Sequence, residues 1–283
     1  MFAPADQAHF RLSIHGLQHD FQVKSFIGEE AVRRPYRFDL QLVSEDPALD
    51  LQSLLHQPAF LQFSPDGSGI HGIIYRAAQG DAGRRLHAYE ITLRPQLIYL
   101  DHRTNQRIFQ RLTVPQIIAR ILEEHGIFAN AYRFHFGSVY PEREYCVQYD
   151  ESDLHFVQRL CEEEGIHFHF QHRADGHELV FGDDQSIFPT LNPVRYLPTS
   201  GMVATEPVIK RFNLRVETRT SSVTRRDYDF EKPRLTMEAR ATAALPLDLE
   251  DYDYPGRFTD RERGTHLSQR ALERHRSDFQ LGS

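Results

Sequence analysis

The sequence predicts an α+β protein that is mostly β, with two β-barrel-like domains and a helix-containing insertion between them. Three observations carry that expectation. Apolar and polar residues alternate through most of the first hundred positions, most clearly at Tyr36, Phe38, Leu40 and Leu42. Side chains on a strand point to opposite faces in turn, so such a run buries one face and wets the other. In the middle the apolar spacing changes to that of an amphipathic helix, and after Gly165 it returns to two. The 20 Phe and 12 Tyr also favour pleated, half-buried positions. The expected domains are 1–100 and 145–235, with the insertion at 101–144. Residues 236–283 form a connecting segment with a C-terminal helix.

In chain order, Phe10, Leu12 and Ile14 begin the first strand, and residues 16–20 turn the chain back to Phe21 and Val23. Pro47 ends the strand centred on Leu40. Residues 51–56, between Pro47 and Pro58, are a short helical candidate. Strands follow at 60–63, 73–75 and 89–93. Turns are expected at Pro65-Asp66-Gly67-Ser68-Gly69 and at Gln79-Gly80-Asp81-Ala82-Gly83. Many short strands joined this way point to an antiparallel barrel or sandwich.

Thr113-Val114-Pro115-Gln116 starts the first long helix. Thr113 caps the first amides, Gln116 returns the bond, and Pro115 sits where a missing N–H is harmless. Ile117, Ile118, Ile121 and Leu122 form its apolar stripe, and Gly126 ends it. A second helix is expected at 152–164, with Leu154, Val157, Leu160 and Cys161 on one face and Gly165 closing it. Ile166, Phe168 and Phe170 then make a strand, turning at Ala174-Asp175-Gly176-His177 into Leu179-Val180-Phe181. Phe212, Leu214 and Val216 alternate as a further strand. Residues 218–226 read as an edge strand or long hairpin, and 260–277 as a charged helix that Gly264 weakens.

Composition narrows the function. With 40% apolar residues the chain has material for a core, so disorder is disfavoured. A net charge of −7 disfavours a generic nucleic-acid surface. No apolar run approaches the roughly 20 residues of a membrane span. The start, Met1-Phe2-Ala3-Pro4-Ala5-Asp6, lacks the basic and hydrophobic segments of a signal peptide, so folding in the cytosol is the expectation. Cys146 and Cys161 have no zinc or redox spacing and are expected as buried thiols.

Candidate chemistry is sparse. His167 and His169 share a strand face while His172 falls near the other, so a metal triad is not expected, and the other histidines suggest no shared site. Glu162, Glu163 and Glu164 crowd a helix C-terminus, where the backbone dipole disfavours them. Consecutive helical residues diverge, so these carboxylates do not form the acid–base pair of a glycoside hydrolase. Solvation or pairing with arginine is the expectation. Asp183-Asp184 reads as a hairpin-closing turn, and Arg33-Arg34 and Arg225-Arg226 as solvated pairs. No phosphate loop or Gly-x-Ser-x-Gly elbow occurs. No catalytic, cofactor-binding or metal residue is assigned, and no cofactor is expected.

One stretch is specific. Arg143-Glu144-Tyr145-Cys146-Val147-Gln148-Tyr149-Asp150-Glu151-Ser152-Asp153-Leu154 leads through Phe156 and Arg159-Leu160 to Glu162-Glu163-Glu164-Gly165-Ile166 and Phe168. Earlier segments fall in matching order: 23–28 with Pro35-Tyr36-Arg37-Phe38, His71-Gly72-Ile73-Ile74, Arg94-Pro95, and Ile108-Phe109-Gln110. In this order the chain resembles the N-terminal region of the VgrG family, the spike proteins of type VI secretion. That region is similar to the baseplate hub of contractile-tailed phages. The family continues into an oligonucleotide/oligosaccharide-binding-like domain and a β-helical needle, and Ser283 falls where that continuation would begin. The resemblance implies a non-enzymatic homotrimer. Two similar lobes per chain would give a pseudo-six-fold ring matching a hexamer of the tube protein Hcp. It also implies contacts with effector or adaptor proteins and other baseplate proteins, no nucleic acid and no membrane insertion. Assembly would occur in the bacterial cytoplasm, with secretion into a target cell. The acidic helix end would meet basic residues of another strand or subunit. A phage-like cell-wall hydrolase and a carbohydrate-binding module are the alternatives. The first needs two carboxylates in a cleft, and the second usually shows exposed aromatics, although the chain has no Trp.

Overall fold

A computed structural model describes residues 10–63, 67–83, 85–188, 190, 193–198, 208–209, 211–244, 247–277 and 279–282. The expectations for Met1 to Asp6, for Pro65 and Asp66 of the first turn, and for Ser283 lie outside these residues. The chain divides into two compact units, Met1–Arg159 with His167–Asp184, and Leu160–Ile166 with Gln185–Ser283. It is mostly β with helices, as the alternation predicts.

In the first unit, β1 (Arg11–Ile14), β2 (Gln22–Ala31), β3 (Arg34–Ser44), β4 (Pro58–Gln62), β5 (Gly69–Ala82) and β6 (His87–Arg94) form one sheet in the order β1-β4-β5-β6-β3-β2. Every pairing in it is antiparallel. Leu12, Ile14, Tyr36, Phe38, Leu40, Leu42, Tyr89, Ile91 and Leu93 are buried, so the period-two reading places the core face correctly. The sheet curls until Phe10, beside β1, meets Phe26 of β2 edge-on at 5.1 Å.

Two local expectations change. The helical segment at 51–56 is a single turn, α1 (Leu51–Leu54), capped by Asp50. The turn expected at 79–83 is strand, because β5 runs on to Ala82. A register shift between Gln79 and Ala82 takes up Gly80 and Asp81 as a bulge, so these turn-forming residues bend the strand without ending it.

A 3-10 helix (Gln96–His102) leads to β7 (Thr104–Phe109). Then come α2 (Val114–Glu124), β8 (Tyr132–His135), β9 (Cys146–Ser152), α3 (Asp153–Glu164), β10 (His167–Arg173) and β11 (Gly176–Gly182). The capping box of Thr113 and Gln116 forms at α2, and Gly126 follows at φ 74°. β7 pairs with β9 as a two-stranded antiparallel ribbon. β10 and β11 form the expected hairpin, with β8 added in parallel to β11. Cys146 and Cys161 are free and buried.

In the second unit, the short β12 (Arg195–Tyr196) and β13 (Val208–Ile209) pair in parallel. β14 (Leu214–Val216) precedes a sheet of β15 (Ser222–Asp227), β16 (Met237–Thr242) and β17 (Glu250–Asp253), in the order β16-β15-β17. α4 (Arg261–Arg276) packs on β15 and β16, and β18 (Gln280–Gly282) pairs with β14. Val223, Ala241, Ala271 and Leu272 form one apolar cluster, and Met237, Ala239, Phe258 and Leu267 another.

Three expectations are corrected here. Of the two readings of 218–226, the long hairpin holds and the edge strand does not: β15 pairs antiparallel with β16 and is covered on its other side by β17, and its buried Ser222 and Thr224 hydroxyls donate to Asp248 and Glu250. Arg225 is not a solvated residue; its largely buried side chain lies 3.5 Å from Asp253. Gly264 does more than weaken α4. A Cβ there would stand 2.8 Å from the Phe258 ring and 3.0 Å from Ala239, so the missing side chain permits the packing.

Candidate assembly surfaces and the polar networks behind them

The specific stretch found in the sequence is a strand-to-helix junction around one buried carboxylate. Asp153, the first residue of α3, is fully buried. Its Oδ2 accepts from Arg103 Nε at 2.6 Å and from His125 Nε2 at 2.8 Å. Its Oδ1 accepts from Gln148 Nε2 at 2.7 Å and from Arg107 at 3.2 Å. Both arginines also reach Glu124, at the end of α2. Burial pushes the Asp153 carboxyl up, but the bonds from His125, Gln148 and Arg103 outweigh it and hold the group below the ordinary carboxylate range.

The neighbouring residues complete the junction. Asp150 sits at φ 49°, a left-handed conformation that Asp tolerates better than most residues. Ser152 Oγ accepts from the His155 amide, and Glu151 takes Arg159 at 2.6 Å and His155 at 2.7 Å. The sequence suggested the helix start but missed these partners. One trace was visible: Arg103, Asn105 and Arg107 repeat at period two, the mark of a polar strand face turned to a common acceptor.

A second cluster overturns the expectation that the scattered histidines share nothing. His71 of β5, His172 of β10 and His177 of β11 gather beside buried Tyr36. His71 and His177 face each other with Nδ1 atoms 3.0 Å apart. His177 Nε2 accepts from the Gln96 amide at 3.4 Å, so His177 Nδ1 carries the proton donated to His71. His172 Nδ1 accepts from the His71 amide at 3.2 Å. Burial lowers His177 to about 3 and His71 to about 4, and the neighbouring rings add to both shifts. Among the described residues no group of three or more His, Cys, Asp or Glu is arranged to hold a metal ion.

Asp183 anchors a loop. Its carboxylate accepts from the amides of Gly137 and Ser138 at 2.9 and 2.8 Å and from the Tyr140 hydroxyl at 3.1 Å. Val139, between these anchors, is 96% exposed.

In the second unit the acidic triplet meets basic residues of its own chain. Glu162 lies 3.1 Å from Arg274, Glu163 lies 3.2 Å from Arg257, and Glu164 pairs with Arg263. The three carboxylates thus have separate partners and do not converge, which fits the arginine-paired reading.

Exposed large apolar residues occur in both units, among them Ile27, Val139 and Phe230, and some line two ribbons. On β7/β9, Ile108, Val147 and Tyr149 face outward, with Tyr145 just before the strand; Tyr149 is 73% exposed. On β14 and just before it, Phe212, Leu214 and Val216 are each more than half exposed, so the alternation expected to bury one face leaves it open. No helix among the described residues is long and apolar enough to cross a membrane.

These features define a β-rich protein whose clustered polar and charged groups brace the fold while large apolar side chains stand outward. Residues 29–283 match the family described as phage tail baseplate hub (GPD), and the chain belongs to that family. It is 67% identical over its whole length to the type VI secretion system spike protein VgrG4b of Pseudomonas aeruginosa, covering 36% of that protein. It is 62% identical to VgrG5 of the same organism over 99% of the chain, again covering 36%. The chain therefore spans little more than a third of these relatives. Among solved structures, a type VI secretion component of Escherichia coli matches with TM-score 0.64 and 32% identity, over 74% of this chain and 56% of that one. A prophage tail protein from Shewanella oneidensis shares the fold at TM-score 0.65 and 14% identity, over 96% and 80%.

Proposed function

We propose that this chain is the hub part of a type VI secretion spike. Three copies assemble into a pseudo-six-fold ring that sits on a hexamer of the tube protein Hcp, and the assembled spike helps carry effectors into a target cell. The observation that carries this reading is the 67% identity to a spike protein along the whole chain. Each chain contributes two β-barrel-like lobes, 1–100 and 145–235, around the insertion at 101–144, with 236–283 leading onward. The six-stranded sheet lying within the first of these ranges supports the division.

The chain has no catalytic or cofactor role. In support, the carboxylates that might have served as acid and base, Asp153, Glu151 and Glu162 to Glu164, are each bound to arginine. Another relative is the actin cross-linking toxin VgrG1 of Vibrio cholerae, 32% identical over 93% of this chain but only 26% of the toxin. Assembly takes place in the bacterial cytoplasm, and the machine then exports the spike.

The test is sedimentation of the purified chain alone and mixed with Hcp hexamer. A trimer that co-sediments with one Hcp ring is the expected result. A monomer at every concentration with no Hcp binding refutes the reading, as does turnover of peptidoglycan in a turbidity assay.

A further inference from the structure

Within the first unit, three histidines each use one ring nitrogen as an acceptor. His71 Nδ1 accepts from His177 Nδ1 at 3.0 Å, and His177 Nε2 accepts from the Gln96 amide at 3.4 Å. His172 Nδ1 accepts from the His71 amide at 3.2 Å. A neutral imidazole has one acceptor nitrogen and an imidazolium has none. A proton added to any of the three rings therefore breaks a bond that ties β10 or β11 to β5 or to the 3-10 helix. All three bonds sit at the turn end of the hairpin. His172 and His177 are cross-strand partners, and the next pair, Arg173 and Gly176, closes the turn. The other end is held independently. Phe168 and Phe181 are fully buried, β8 pairs with Leu179 to Gly182, and the Phe168 carbonyl accepts from the Arg33 amide at 2.8 Å.

We propose that this cluster is a proton-operated latch: acid lifts the tip of the hairpin, residues 171–178, off β5 while the base of the hairpin stays paired. The charged groups around the cluster act in both directions. Glu30 of β2, 3.3 Å from His172 Nε2, and Asp175 in the turn favour added protons. Asp175 is largely exposed and 3.8 Å from Arg173, so solvent and its neighbour weaken its pull. Arg94, whose charge reaches Tyr36, opposes added protons. Tyr36 is pushed well above its ordinary range by burial, so it stays neutral and donates to the His71 carbonyl at 2.5 Å. Burial and the adjoining rings hold His71 near 4 and His177 near 3, so the closed tip refuses protons that an open tip accepts below about pH 6.5. Closure is therefore favoured fully above that pH and progressively less below it. Over this interval the two groups together favour opening by up to about a hundredfold per pH unit. Every part of the latch belongs to one chain, so it works without assembly.

Amide hydrogen exchange of the purified chain at pH 7 and pH 5, corrected for the intrinsic pH dependence of exchange, tests the latch. The His71 and Gln96 amides, which donate to His172 and His177, should lose about a hundredfold of their protection. Amides within α2 and between β15 and β16 should keep theirs. With His71→Gln and His177→Gln in one chain, protection of the Gln96 amide should no longer depend on pH over this range. Equal protection of the parent's two amides at both pH values overturns the latch. So does a fall matched in α2, which is global unfolding. A local fall that persists unchanged in the double variant belongs to other groups and overturns it too. Circular dichroism shows whether the double variant is folded; if it is not, the parent's comparison of His71 and Gln96 with α2 decides.

Discussion

The carboxylates of the two units are handled differently. In the first unit one group, Asp153, is fully buried and receives bonds from five side chains. In the second, three adjacent carboxylates each take a separate arginine, and only Glu164 is deeply buried. Coulombic attraction is available in both places, but the consequence of removing it depends on what solvent can replace. A buried charge that loses its partner has no water to turn to, whereas an exposed one does.

The largest effect is therefore expected at Asp153. Asp153→Ala leaves Arg103, Arg107 and His125 aimed at an empty position and should cost about 3–5 kcal/mol, measured by urea denaturation. A cost below 1 kcal/mol would erase the contrast between the units. Glu164→Ala comes next, at about 2–3 kcal/mol, because its side chain is 1% exposed beside Arg263. Gly264→Ala should cost about 1–3 kcal/mol by pressing on the Phe258 ring. Glu162→Ala, at the half-exposed pair with Arg274, should stay within about 0.5 kcal/mol.

Acid sharpens the comparison through histidine. His71 and His177 titrate near 4 and 3 in the folded protein, below the ordinary value of about 6.5. Between those limits the unfolded chain binds more protons than the folded one. Stability contributed by these groups is thus full above about pH 6.5 and lost as pH falls toward 4 and then 3. Urea midpoints measured from pH 7.5 to 4.5 should fall, and His177→Gln should flatten the slope. An unchanged slope would show that the cluster is already hydrated.

Local rules made most elements readable. The alternation at Tyr36 to Leu42, the capping box at Thr113 and the hairpin after Phe170 each depend on neighbours in sequence. The partners of polar groups were not readable for the opposite reason. Arg103 meets Asp153 across 50 positions, and His71 meets His177 across 106. Only folding brings them together; the period-two repeat of Arg103, Asn105 and Arg107 marks a shared polar face but does not name its acceptor. The error at Gly80-Asp81 has the same origin. Those residues permit a turn or a bulge, and pairing with β6 decides between them.

The junction at Asp153 has a mechanical corollary. β9 passes into α3 with no intervening loop, and only Gly165 and Ile166 separate α3 from β10. Such a stretch has almost no slack to uncoil. A pull along it loads the hydrogen-bonded ladders and the arginine clamps at once, so this part of the chain should behave as a stiff spar, yielding abruptly and not by gradual extension.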